Sequence, residues 1–287
     1  MVSSLAMEDA PERGAPSSLR GWLSEVYFPS LVSADPEQLV RRLGERATVD
    51  DPIFGRKTGM PALEQFLQEI AAWLGKHAAS FDKTGFTMGS DRDVTEGNLG
   101  LTFEGKHVTV PVAIVCERRP EREVELRLYY STKPIKGTHA VRSPLLPQDD
   151  QVLVPPPVAA HLEALARGNV AAVVASFENG GSVRDPEGGS HHKTEDGGTL
   201  HRFYEQLLGS GGEPATGKVG GGADGAGIEL LKGARADDGR TCALEYTVVR
   251  VHGKGVAPQA GLAVYERGES GLLRAARIYE DVDIGPG

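Results

Sequence analysis

Two cysteines, Cys116 and Cys242, are all that 287 residues contain, too few for a disulfide framework. Both sit inside apolar strand-like runs, which suits small buried hydrophobes in a reducing compartment. Basic charge is also short: 31 Lys and Arg face 40 Asp and Glu, a net charge of −9 with no basic block. Such a chain repels a phosphate backbone, so nucleic acid is not expected as a partner. No run approaches the roughly 18 apolar residues of a membrane span, and Met1 to Arg20 lacks the charged-then-apolar pattern of a secretion signal. The expectation is a cytoplasmic protein with no membrane partner. Gly (37) and Pro (18) make the chain loop-rich, yet stay below the roughly 25–30% that marks low-complexity disorder.

What the chain does have is a copy of itself. Ala47-Thr48-Val49-Asp50-Asp51-Pro52 recurs as Gly181-Ser182-Val183-Arg184-Asp185-Pro186, each after an amphipathic helical pattern and before another. A shift of 134 places Asp185 on Asp51 and Gly168-Asn169 on Ala34-Asp35 without a gap. Toward the other end Val115-Cys116-Glu117-Arg118 matches Val264-Tyr265-Glu266-Arg267, and Leu126-Arg127-Leu128-Tyr129 matches Ala276-Arg277-Ile278-Tyr279, at shifts of 149 and 150. The extra length is expected in Gly-rich loops around Gly209–Asp224 and Gly233–Gly239.

The organisation that follows is a tail over 1–18, a first domain over 19–136, a Pro-rich linker over 137–157 and a second domain over 158–287. In the first domain apolar spacing predicts helices over Leu19–Phe28, Pro36–Leu43 (with Asp35 as N-cap) and Pro61–Lys76. The period then drops to two, and strands are expected over Ser80–Thr87, Val94–Phe103, Val108–Glu117 and Val124–Ser131, with Glu104-Gly105-Lys106 as a hairpin turn. Pro111 implies a bulge or an edge position. The fold class is α+β: two tandem cone-shaped domains, each a curved antiparallel sheet wrapped on about three helices.

Two helices, a short strand ending in Val-x-Asp-Pro, a helix and a long sheet together resemble the nuclear transport factor 2-like superfamily, which includes ketosteroid isomerase and the SnoaL-like polyketide cyclases. In ketosteroid isomerase the Asp before that Pro is the general base, and a Tyr 24 residues earlier donates to the developing oxyanion. The resemblance therefore implies catalytic roles for Asp51 and for Tyr27, which lies 24 residues before it. It implies the same for Asp185, with His161 at the position of the phenol. The isomerase's second oxyanion donor falls near Val112–Ile114 and Gly261–Ala263, which carry no donating side chain, and the family's epoxide hydrolases place an acid where Leu128 and Ile278 stand.

The expected function is a SnoaL-like protein that binds a small hydrophobic molecule in an apolar cone and catalyses metal-free proton transfer: isomerisation, cyclisation or dehydration. The alternative is a non-catalytic binding or assembly module built as an internal pseudo-dimer, with a homodimer as a further state. On the bland reading, both Asp-Pro carboxylates merely end their strands. Arg127 with Tyr129, and Arg277 with Tyr279, alternate on one strand face and suit either an ion-paired strand or a packing face between the domains. No cofactor or metal is expected. His191-His192 lacks a spaced third ligand, Gly212 to Lys218 is followed by Val219 instead of a hydroxyl residue, and Gly220-x-Gly222-x-x-Gly225 leads into a strand.

Overall fold

The computed structural model describes residues 22–120, 123–194, 198–208, 227–252 and 254–282. The first half runs α1 (Leu23–Val32), α2 (Pro36–Leu43), β1 (Thr48–Asp51), β2 (Gly55–Thr58), α3 (Ala62–Lys76), β3 (Ser80–Met88), β4 (Arg92–Phe103), β5 (Lys106–Arg118), β6 (Val124–Tyr129) and the one-turn α4 (Lys133–Lys136). The second half repeats the plan as α5 (Pro156–Ala166), α6 (Val170–Ala175), β7 (Phe177–Arg184), β8 (Ser190–His192), α7 (Gly198–Leu208), β9 (Glu229–Asp237), β10 (Thr241–Val251), β11 (Lys254–Arg267) and β12 (Leu273–Glu280).

The two six-stranded sheets have the same order, β2-β1-β6-β5-β4-β3 and β8-β7-β12-β11-β10-β9. Each is antiparallel except at one pair, where β1 runs parallel to β6 and β7 parallel to β12. The repeat holds to the residue: Val49 lies opposite Leu126 and Asp50 opposite Arg127, while Val183 lies opposite Ala276 and Arg184 opposite Arg277. The entry to the second helix is also copied. Ala34 (φ 58°) and Gly168 (φ 64°) are both left-handed, and Asp35 and Asn169 accept from the amides of Gln38 and Ala172 to cap α2 and α6.

Two expectations about elements are corrected. Helix α1 does not stop before Pro29 but continues to Val32. Pro29 removes one intrahelical bond, and burial of Leu31 holds the following turn in place. Gly233–Gly239 is not an insertion loop, because β9 runs through Gly233 to Asp237. Gly233 is the extra residue of a bulge between the pairs Glu245↔Ala234 and Tyr246↔Lys232, and Leu146 of the connector packs where its Cβ would stand. Of the two positions expected for Pro111, bulge or edge, the edge is the one found. Pro111 pairs with Asn98 on β4 in unbroken register and lies past the end of β6, whose pairing begins at Ala113. The Gly209–Asp224 loop and both Gly-rich motifs fall outside the described residues.

Each sheet packs one face on its own helices and the other on its twin. Inside the first cone Tyr27, Leu67, Ile114 and Leu128 are fully buried; inside the second, Val158, Phe177, Leu200 and Leu244 are. A third apolar cluster, with Val94, Val115 and Tyr129 from one sheet and Ala243, Leu262 and Tyr279 from the other, joins the domains.

At that seam the alternating Arg and Tyr residues are paired crosswise. Arg127 donates through Nε to Glu245 Oε1 (2.6 Å) and through Nη2 to Oε2 (2.8 Å), and Tyr129 OH donates to Glu245 Oε1 (2.7 Å). Arg277 does the same to Glu96 (2.7 and 2.9 Å), with Tyr279 OH at 2.7 Å. Glu96 and Glu245 occupy equivalent places on β4 and β10, opposite Ala113 and Leu262. Burial works against the Arg127 charge, but Glu245, Tyr129 and Glu117 more than offset it and hold the guanidinium above its ordinary value. The arrangement is that of a two-fold dimer interface built from one chain.

Candidate acid–base sites in the two cones

Asp51 ends β1 and is almost fully buried. Its Oδ1 accepts from the amides of Ile53 (2.8 Å) and Phe54 (3.0 Å), as expected of Asp at a turn, and from Tyr130 OH (2.8 Å). Burial raises the carboxyl above its ordinary value, against the pull of those donors. Tyr27 is fully buried on α1, and its hydroxyl has no hydrogen-bond partner. Burial first, and the Asp51 charge second, push its ionisation well up. The structure thus brings Asp51 and Tyr27 into one buried group, and adds Tyr130 to it.

The second pair is not brought together. Asp185 follows β7 and makes the same kind of turn, with Oδ1 accepting from the amides of Glu187 (3.0 Å) and Gly189 (2.8 Å). Its Oδ2 meets His191 Nε2 at 3.0 Å, and that imidazole stacks on Phe203. His161 lies elsewhere, on α5, with Nδ1 at 2.9 Å from Ser176 Oγ and its ring edge-on to Phe177 and Tyr265. Burial pushes His161 down to about 3, so it is neutral at ordinary pH.

His161 instead lines an apolar cavity inside the second cone with about 60 Å³ of free space, room for about two waters. Tyr204, Tyr246, Tyr265, Leu207, Ile278 and Glu280 share its walls. Among the described residues, Glu280 supplies the cavity's one carboxyl. Tyr246 OH donates to its Oε2 at 2.5 Å, and burial, partly opposed by that bond, raises the carboxyl above its ordinary value. Gly261 makes room for the pair, since a Cβ there would come within 2.4 Å of the Tyr246 ring and 2.9 Å of Glu280 Oε2.

Glu280, Tyr246 and Tyr130 were missed in the sequence, although one signal was present. Ala276, Ile278 and Glu280 share the cone face of β12, so a carboxylate closes an otherwise apolar alternation. Tyr130 occupies the matching place after β6, where Leu126 and Leu128 precede it. The two cones therefore exchange parts. In the first, the acid comes from the β1 turn and the phenol from the end of the last strand; in the second, the last strand carries the acid and β10 the phenol. Among the described residues, no group of three or more His, Cys, Asp or Glu is placed to hold a metal ion, and no helix is long and apolar enough to cross a membrane.

No protein-family model matches the sequence, and no curated protein does. Solved structures do match, each over less than half of this chain. An NTF2-like protein of unknown function from Cytophaga hutchinsonii is 16% identical over 39% of this chain and 90% of its own (TM-score 0.31). A hypothetical protein with a ketosteroid isomerase-like fold from Catenulispora acidiphila, in complex with trimethylamine, is 17% identical over 40% and 89% (0.34). A putative polyketide cyclase from Sinorhizobium meliloti is 17% identical over 36% and 92% (0.29). The element order and the single parallel strand pair make each half an α+β cone that resembles the nuclear transport factor 2-like fold, and this chain carries the cone twice in tandem. The likeness concerns the fold, which hosts many unrelated activities.

Proposed function

We propose that the second cone binds a small, largely apolar molecule with one hydrogen-bonding oxygen, and that Glu280 exchanges a proton with it. The observation that carries this reading is the Glu280–Tyr246 pair at the wall of an apolar cavity. Burial moves this carboxyl above the ordinary glutamate value, the direction that general acid–base work calls for. The Tyr204 and Tyr265 hydroxyls, kept neutral by burial, line the same space and can donate to a ligand oxygen. Isomerisation, cyclisation and dehydration all need such a group. In this reading Asp51 and Asp185 act mainly as strand-ending turns, because both spend Oδ1 on backbone amides, and the first domain is a scaffold.

The test is deuterium incorporation from D₂O into acetone, followed by proton NMR. The full chain should accelerate exchange, and Glu280→Gln should lower the rate by about 100-fold or more. Asp51→Asn should not lower it comparably. No acceleration by the wild type, with saturation-transfer NMR still detecting the ketone on the protein, would leave a binder without catalysis. Neither exchange nor binding would remove the second cone as a site for such ligands.

A further inference from the structure

Glu280 is the last residue of β12, and the residue after it makes the densest polar contact between the two halves. Asp281 is buried and faces the seam, while Glu280 faces the cone. Asp281 Oδ1 accepts from Ser131 Oγ (3.1 Å), the Thr132 amide (2.9 Å) and His139 Nδ1 (2.9 Å). Its Oδ2 accepts from Thr132 Oγ1 (2.5 Å) and the Ala140 amide (2.6 Å). All five donors lie between residues 131 and 140, where the first domain ends and the connector begins.

Residue 281 is the repeat's counterpart of residue 131, so the pseudo-two-fold brings equivalent positions together, Ser on one side and Asp on the other. The asymmetry has a reason in packing. Ser in both places could not accept five bonds, and Asp in both would set two carboxylates against each other. The end of β12 is therefore held by groups that the second domain does not own. Downstream, Arg142 continues the strap by bonding Asp50 Oδ1 (2.5 Å), and its carbonyl accepts from the Ala260 amide (2.9 Å).

We propose that Asp281 and His139 are positioning residues for Glu280, so that the first domain and the connector complete the acid of the second cone. The proposal rests on Glu280 being the acid of that site. It gives the tandem arrangement a purpose: the first domain fixes the direction and the charge environment of a group in the second. Among the described residues, the titratable groups around Glu280 are Tyr246 on β10, Tyr265 on β11, His161 on α5 and Tyr204 on α7, which line the same cavity, and His139 with Asp281 behind it at the seam. Only the last two belong to the strap contact. Their charges act on Glu280 in opposite senses, His139 lowering its proton affinity and Asp281 raising it.

The experiment is a pH titration of the full-length protein labelled with ¹³C at glutamate Cδ. The Glu280 signal is identified by its loss in Glu280→Gln. His139→Asn should move the Glu280 midpoint up, and Asp281→Asn should move it down, each by about half a unit or more. His139→Lys, which puts a fixed cation at the same place, should hold the midpoint below that of His139→Asn and keeps the inference testable if Asp281→Asn does not fold. Shifts of opposite sign support the inference, because general loosening would move both variants the same way. Midpoints that stay put in His139→Asn, or that move in one direction in both variants, would overturn it. This reading needs no ligand, so it can fail while ketone exchange succeeds, and the reverse.

Discussion

Arg127 and Glu245 lie 118 positions apart in sequence and meet through two parallel hydrogen bonds at 2.6 and 2.8 Å, with both side chains buried at the seam between the sheets. Arg277 and Glu96 repeat the contact in the opposite direction. Removing one partner leaves a buried charge without its complement. Arg127→Met should therefore cost about 3–5 kcal/mol in chemical denaturation. A loss below about 1 kcal/mol would mean that the seam adds little to the stability of the pair of domains.

Glu280 gives a pH signature. Its folded-state proton affinity is raised, so its contribution to stability is complete below the ordinary glutamate value and is lost as pH rises through the folded one. Glu280→Gln keeps an oxygen for Tyr246 and cannot ionise. The variant should melt at a temperature close to wild type in acid and higher than wild type in mild base. Parallel melting curves across that range would show that Glu280 is not held as described.

His161 has the opposite sign. Its value is pushed down to about 3 by burial, so the stability tied to its neutral form is present above the ordinary histidine value and is lost as pH falls toward 3. The full effect is on the order of 5 kcal/mol. His161→Gln should remove that acid sensitivity, and the ring C2 proton of His161 should not titrate between pH 5 and 8, in contrast to an ordinary histidine near about 6.5.

Gly261→Ala places a methyl where the Tyr246 ring now lies. The ring and Glu280 must shift together, at an expected cost of about 1–3 kcal/mol, and ketone binding in the second cone should weaken. Unchanged binding would mean that the ligand does not reach the Glu280–Tyr246 pair.

Both thiols, at Cys116 and Cys242, are buried and pushed up to about 12, chiefly by burial. Neither should react with a thiol reagent in the native state, while both should react on unfolding. Rapid labelling of either in native protein would contradict the packing of β5 or β10.

The legible part of this protein is what depends on local period and on self-similarity. The drop from a 3.6 to a 2 period marks α3 and the strands after it. The Asp51–Asp185 equivalence anticipates that β1 and β7 hold the same place in two copies of one plan, and the Arg127-x-Tyr129 and Arg277-x-Tyr279 alternation fits one of its two expected uses, the face that meets the twin sheet. The site was legible only in part. Asp51 and Tyr27 do share a buried group, but Asp185 and His161 do not, because a motif at the end of a strand sets a turn and does not decide what the carboxylate faces.

The sequence by itself thus determined two tandem cones and which residues of each last strand share a face, since alternation along a strand is a property of neighbouring residues. Only the tertiary structure decided which carboxyl stands in a cavity. Glu280 becomes an acid on an apolar wall because β10 brings Tyr246 to it across the cone, Gly261 leaves space for the ring, and the first domain grips Asp281 from behind. Those contacts join residues far apart in the chain, and burial, which shifts the proton affinity, exists only once they have formed.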